Sequence, residues 1–127
     1  PGDERLPAAE EYTSIAKDRF DLDPRLERRP NEKIICKPYA STFKGTNFQD
    51  MLTMLGVDTL IVTGCSTGHC VYATCRDARD CFKVIVPEEA VGERCELMHR
   101  VNLLDIEIDL ADVLPVDEVT AWLDGQG

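Results

Sequence analysis

Residues 62–71 read V-T-G-C-S-T-G-H-C-V: an apolar run ends, small and polar residues follow, and a helix-forming run begins. Ser66 or Thr67 suits the N-cap of that helix, which puts Cys70 in its first turn. Unpaired backbone N–H groups and the positive end of the helix dipole favour thiolate over thiol at such a position. The same N–H groups can hold an oxyanion. Lys37 closes an earlier apolar run, Ile34–Cys36, just before Pro38. An ammonium beside a cysteine favours its thiolate further. Cys70 there suits the nucleophile in an attack on a carbonyl carbon, and a lysine brought beside it would support that role. The plain alternative is a cysteine that only packs.

The elements that must position this pair follow from hydrophobic spacing. Lys33–Lys37 reads as a short buried strand ended by Pro38. Phe48, Met51, Leu52 and Leu55 fall at i, i+3, i+4 and i+7, one helical face, and Gly56 follows as a stop. Residues 59–63 (T-L-I-V-T) read as a second strand, and Val71, Cys75 and Ala78 share a face of the next helix. Lys83–Val86 reads as a third strand, and Leu97, Val101 and Leu104 as another helical face. Residues 111–116 fit a fourth strand, and Val119, Trp122 and Leu123 a terminal helix. Continuous apolar strands alternating with helices imply a parallel sheet covered on both faces, a three-layer α/β/α, Rossmann-like fold. Right-handed crossovers bring the strand C-termini to one edge, where ligands bind in open α/β sheets. Lys37 and the Gly64–Cys70 turn both belong to that edge.

The chain has 127 residues, 24 of them acidic and 14 basic, for a formal charge of −10. Nucleic acid and anionic membrane surfaces select for basic patches, so neither is expected as a partner. No apolar run approaches the roughly 20 residues of a membrane span. The 43% hydrophobic content suits a folded core. The six cysteines include no pair or Cys/His cluster at zinc-ligand spacing, and they read as reduced thiols of a cytoplasmic protein. Residues 1–31 are polar, contain four prolines, and read as an arm with at most one short helix, about Ala8–Arg19. The domain proper is expected over 32–127.

Longer motifs narrow the chemistry. K-P-Y-A-S-T-F-K-G-T at 37–46, T-L-I-V-T-G-C-S-T-G-H-C-V-Y-A-T-C-R-D-A at 59–78, V-P-E-E-A-V-G-E-R at 86–94 and A-D-V at 111–113 resemble the isochorismatase-like cysteine hydrolases. The resemblance is greatest to their carbamoylsarcosine amidase and maleamate amidase branch, and it runs from about Leu22 to Leu123. It implies an Asp–Lys–Cys triad with Lys37 and Cys70 as two members. It implies an oxyanion hole from the backbone N–H groups of Ser66 and Cys70, and a cis peptide bond between Cys65 and Ser66. The implied reaction is hydrolysis of a small linear amide or carbamoyl compound through a thioester. No cofactor and no metal are implied.

One part of the family pattern has no counterpart. The triad Asp belongs to a first strand resembling V-I-D-x-Q, and this sequence holds no such segment. Roughly the first third of a typical member is absent. Asp3, Asp18, Asp21 and Asp23 lie in the polar arm, where no strand would hold them. The expectation is a second polypeptide that supplies the strand and its Asp, either the other product of a nicked precursor or a separate subunit, within a homo- or hetero-oligomer. The competing expectation is a non-catalytic paralogue that serves as a binding or structural subunit. A redox thiol protein is a third reading, which the five-residue spacing of Cys65, Cys70 and Cys75 does not favour.

Other residues complete the candidate set. Tyr39 and Phe43 follow Lys37 and are either substrate contacts or core aromatics. Thr67 and His69 flank the nucleophile as candidate substrate contacts, although His69 also suits a partly exposed helix start. His99 reads as a packing or surface residue, Cys75 as core, and Arg94 and Arg100 as surface arginines.

Overall fold

The structure, a computed structural model, describes residues 22–127. The expected helix near Ala8–Arg19, and Asp3, Asp18 and Asp21, lie outside the described residues. The chain divides into two units, Pro1–Ile34 and Ile35–Gly127. In the described part of the first, a 3-10 turn at Pro24–Leu26 has proline at its start and Asp23 as cap. An Asp23 carboxylate oxygen accepts the Arg25 N–H at 2.9 Å. The ion pair between the two side chains is exposed, so it adds little stability.

The second unit is built on parallel strands. Strands β1 (Thr59–Ile61), β3 (Lys83–Pro87) and β5 (Asp112–Leu114) form one sheet in the order β1-β3-β5. Leu60 pairs with Val84, and Val86 with Val113. Strands β2 (Gly64–Cys65) and β4 (Val91–Gly92) form a second, two-stranded parallel ladder in which Gly64 faces Val91 and Cys65 faces Gly92. Helix α1 (Phe48–Met54) precedes β1, α2 (Tyr72–Ala78) joins β2 to β3, α3 (Glu96–Asp109) joins β4 to β5, and α4 (Val116–Asp124) follows β5. No helix among the described residues is long and apolar enough to cross a membrane.

Strand alternation shows how the sheet is covered. Val84 and Val86 pack in the main core with Cys75 and Ala78 of α2, Leu103 and Ile106 of α3, and Leu52 of α1. Ile85, one residue out of phase, faces the opposite side and shares a cavity with Leu114 and with Val119 and Trp122 of α4. Helices therefore cover both faces, as the apolar strands require.

Two expectations are corrected. Lys33–Lys37 forms no strand among the described residues; Ile35 is half-buried, and Cys36 and Lys37 are exposed. A ladder needs a neighbour to take its N–H and C=O groups, and no described strand pairs with this segment. On α3, Leu97, Val101 and Leu104 do not face the core: they are exposed, and Leu103 and Ile106 are the buried pair. The face formed by Val71, Cys75 and Ala78 is buried as expected.

Candidate active site

The turn that carries Cys70 is set by close packing beneath it. Residues Thr67–Val71 form a π-helical turn that runs into α2, with extended Ser66 at the N-cap. The Ser66 carbonyl accepts the N–H groups of His69 at 3.0 Å and Val71 at 3.2 Å. The Ser66 side chain makes no cap bond, and among the described residues its N–H donates to no backbone acceptor. The Cys65–Ser66 peptide bond is cis. Thr67 is fully buried, and its hydroxyl lies 2.9 Å from Nδ1 of His99 on α3. Gly68 rests directly on α3: a Cβ there would come within 2.4 Å of Asn102 Nδ2. Only glycine lets the turn approach this closely.

Glu93 completes the support. Its side chain is shut off from solvent, and its carboxylate accepts the Gly68 N–H at 3.0 Å and the Arg94 N–H at 3.0 Å. These bonds, first from Arg94 and then from Gly68, hold the carboxyl below its ordinary pKa. Burial acts in the opposite direction, and the charges of His69 and Arg94 assist the lowering. Glu93 did not emerge as a candidate from the sequence, although it lies in the V-P-E-E-A-V-G-E-R segment, one residue before its end. Its position follows from the β2–β4 register, since facing Cys65 with Gly92 brings the next residue beside the turn.

Lys37 reaches the same place from another segment. Its Nζ donates to the carbonyls of Tyr39 at 3.1 Å and Ala40 at 3.0 Å, and to Cys70 Sγ at 3.3 Å. The turn after Lys37 is tied to itself and to α2. The buried Ser41 hydroxyl accepts the Phe43 N–H, Thr74 Oγ1 accepts the Thr42 N–H at 3.3 Å, and the Thr46 hydroxyl donates to the Thr42 carbonyl. Gly45, with φ of 72°, lets Pro38 and the Tyr39 ring fold against it.

The structure sorts the remaining candidates. Phe43 belongs to the core, its ring centroid 5.1 Å from that of Phe48 and 6.0 Å from that of Phe82. Tyr39 is exposed, with Lys44 Nζ 4.4 Å above its ring. His69 is exposed beside Cys70. The Thr67 side chain is committed to His99 in the interior, so it offers no face to a ligand. Cys75 is core: burial pushes its thiol up to about 11, which leaves it protonated and inert. All six cysteines are free thiols. A cavity of about 750 Å³, lined by residues such as Tyr72, Arg76 and Asp109, includes neither Lys37 nor Cys70.

A lysine and a half-buried cysteine in contact at the end of a parallel strand, over an acid-braced glycine turn, make a distinctive pattern. The isochorismatase domain family matches residues 13–118. The chain belongs to the isochorismatase family. The N-carbamoylsarcosine amidase of an Arthrobacter species is 39% identical over 104 residues, covering 81% of this chain and 39% of that protein. The maleamate amidohydrolase of Pseudomonas putida is 40% identical over 84 residues, covering 65% and 39%. An isochorismatase-like hydrolase from Alkaliphilus metalliredigens superposes with a TM-score of 0.75 at 34% identity, covering 80% of this chain and 57% of that one. The chain thus spans 39% of the length of these two curated relatives. The isochorismatase-family match begins at residue 13, inside the polar stretch read from sequence as an arm.

Proposed function

We propose that this chain carries the cysteine and lysine of an amidohydrolase that cleaves a linear C–N bond in a small amide or carbamoyl compound. The observation that carries the reading is the 3.3 Å contact between Lys37 Nζ and Cys70 Sγ. Two relatives named for amide hydrolysis, an N-carbamoylsarcosine amidase and a maleamate amidohydrolase, support the substrate class. In the proposed reaction the Cys70 thiolate attacks the carbonyl carbon, and the N–H groups of Ser66 and Cys70 hold the oxyanion. The intermediate collapses as the leaving nitrogen takes a proton, giving a thioester and ammonia or an amine. Water then attacks the thioester, releasing the acid and returning the thiol. Lys37 holds the thiolate by charge, and exposed Tyr39 and His69 are the side chains placed to meet the substrate.

Both proton transfers need an acid/base group. Among the described residues no carboxylate pairs with Lys37 or bonds to Cys70. In this reading a second polypeptide supplies an Asp on a strand beside β1, at the edge that no described strand occupies. The same observation favours a second reading, a non-catalytic subunit that binds but does not turn over. Intact-mass analysis of the native particle under denaturing conditions, followed by ammonia-release assays on small amides, separates the two. A second polypeptide with a strand-borne Asp, and turnover lost in Cys70→Ala, would support the amidohydrolase. A particle of this chain alone without turnover would establish the non-catalytic reading.

A further inference from the structure

Helix α3 is apolar on two opposite sides. Leu103 and Ile106 are buried in the core, whereas Leu97, Val101, Leu104 and Ile108 are 71%, 58%, 57% and 67% exposed. At about 100° per residue, those four fall within one narrow strip facing away from the buried pair. Their 4-3-4 spacing is that of a coiled-coil seam, with Leu97 and Leu104 at one core position of the heptad and Val101 and Ile108 at the other. A helix that is apolar on both sides is one that is covered on both sides.

The charges beside the strip identify what covers it. Arg100 and Glu107 border one side of the strip, and both also border a groove of about 210 Å³. Suppose a second α3 lies antiparallel across the strip. Leu97 then meets Ile108 of the second copy, Val101 meets its Leu104, and Arg100 meets its Glu107, with each contact repeated by the twofold axis. The acidic end of each helix, with Asp105, Glu107 and Asp109, comes to lie beside the positive end of the other helix dipole. A parallel pair would instead set the two acidic ends side by side. Arg100 already donates from Nε to Glu96 of its own helix at 2.8 Å, which leaves its terminal nitrogens for a second carboxylate.

We propose that α3 is a self-association helix: two copies of this chain pair their α3 helices antiparallel through the Leu97–Val101–Leu104–Ile108 strip and reciprocal Arg100–Glu107 contacts. The test is the solution mass of the native particle by sedimentation equilibrium. This readout needs no turnover, so it is independent of the amidohydrolase reading. The wild-type particle is expected to hold two copies, or a multiple of two, of this chain. Arg100→Glu and Glu107→Arg each place like charges across both contacts, and each is expected to halve the mass at micromolar concentration. Mixing the two variants makes both contacts complementary again and is expected to restore the mass, with one copy of each. The double swap Arg100→Glu/Glu107→Arg should also restore it. Both residues are exposed, and far-ultraviolet circular dichroism checks that every variant is folded. A wild-type particle with a single copy, variants that keep the full mass, or a mixture that stays apart would each overturn the proposal. So would release of a different polypeptide by Val101→Asp/Leu104→Asp.

Discussion

The two segments that bring Lys37 and Cys70 together are held in very different ways. The Cys70 turn is braced from beneath by interior groups: buried Thr67 on His99, Gly68 against Asn102, and the Gly68 N–H on a Glu93 carboxylate closed off from solvent. Lys37 is exposed, its own segment joins no sheet, and its ammonium is oriented by two carbonyls just downstream. Cys70 therefore sits on a frame this unit makes itself. The lysine is placed by a local turn, and the segment before it pairs with no described strand. One half of the Cys70–Lys37 contact is braced from the interior, and the other half lies on a segment that no described strand pairs with.

The strongest way to break the comparison is at the sulfur. Cys70→Ala is expected to abolish turnover, by at least about 10³-fold in kcat/KM, while leaving the unfolding midpoint nearly unchanged. It should also remove the fast-alkylating thiol, because Cys75 is protonated and buried. Mass spectrometry after brief iodoacetamide treatment at neutral pH checks this, and equal labelling of Cys70 and the exposed cysteines in the native chain would sink it. Next in size is the lysine. Lys37→Met removes the ammonium 3.3 Å from Sγ, and the Cys70 alkylation rate at neutral pH is expected to fall about tenfold. An unchanged rate would mean that Lys37 does not set the reactivity of Cys70.

How much of this was legible in the sequence follows the same division. Strands β1, β3 and β5, the helix after Cys70 and its buried face could be read because apolar spacing specifies them, whereas the two-residue strands β2 and β4 carry too short a pattern to be read. The pairing of Lys37 with Cys70 came from motif resemblance, since no local rule joins residues 33 positions apart. Lys33–Lys37 misled because an apolar run predicts burial, whereas burial depends on a neighbour. On α3, Leu97, Val101 and Leu104 were read as inward-facing because they repeat at helical spacing. Leu103 and Ile106 repeat on the opposite side, and spacing cannot tell which of two apolar sides meets the sheet. Glu93 was invisible because a buried carboxylate looks like a surface one until the strand register places it.

The frame beneath Cys70 offers a sharper test than the pair itself. Gly68→Ala would drive a methyl group into Asn102, backed by its bond from Nδ2 to the Met98 carbonyl at 2.8 Å. Overpacking of this kind is expected to cost about 1–3 kcal/mol in urea unfolding. Adding Asn102→Ala should recover much of the loss, whereas a purely conformational effect at residue 68 would leave the double variant as unstable as the single one. Thr67→Val keeps the shape and removes the bond to His99. The expected loss is about 1 kcal/mol by the same measurement, and a neutral result would reduce that bond to packing.

Glu93 gives the most subtle prediction, because its contribution depends on pH. Its folded pKa lies below the ordinary value because the Arg94 and Gly68 N–H groups favour the charged form. The stabilisation is therefore fully present above the unfolded carboxyl pKa, about 4.3, and is lost as pH falls through the lower folded value. Glu93→Gln still offers an oxygen to the Gly68 N–H but does not titrate. Wild type is expected to be the more stable of the two at pH 7, and the gap should close as pH falls below about 4. Urea midpoints for both proteins between pH 7 and pH 3 measure it. A gap of constant size would mean that Glu93 supports the turn by shape and not by charge. The frame beneath Cys70 would then differ from the lysine segment only in packing density. A gap that closes on acidification would show that the frame beneath Cys70 is itself held by a charge.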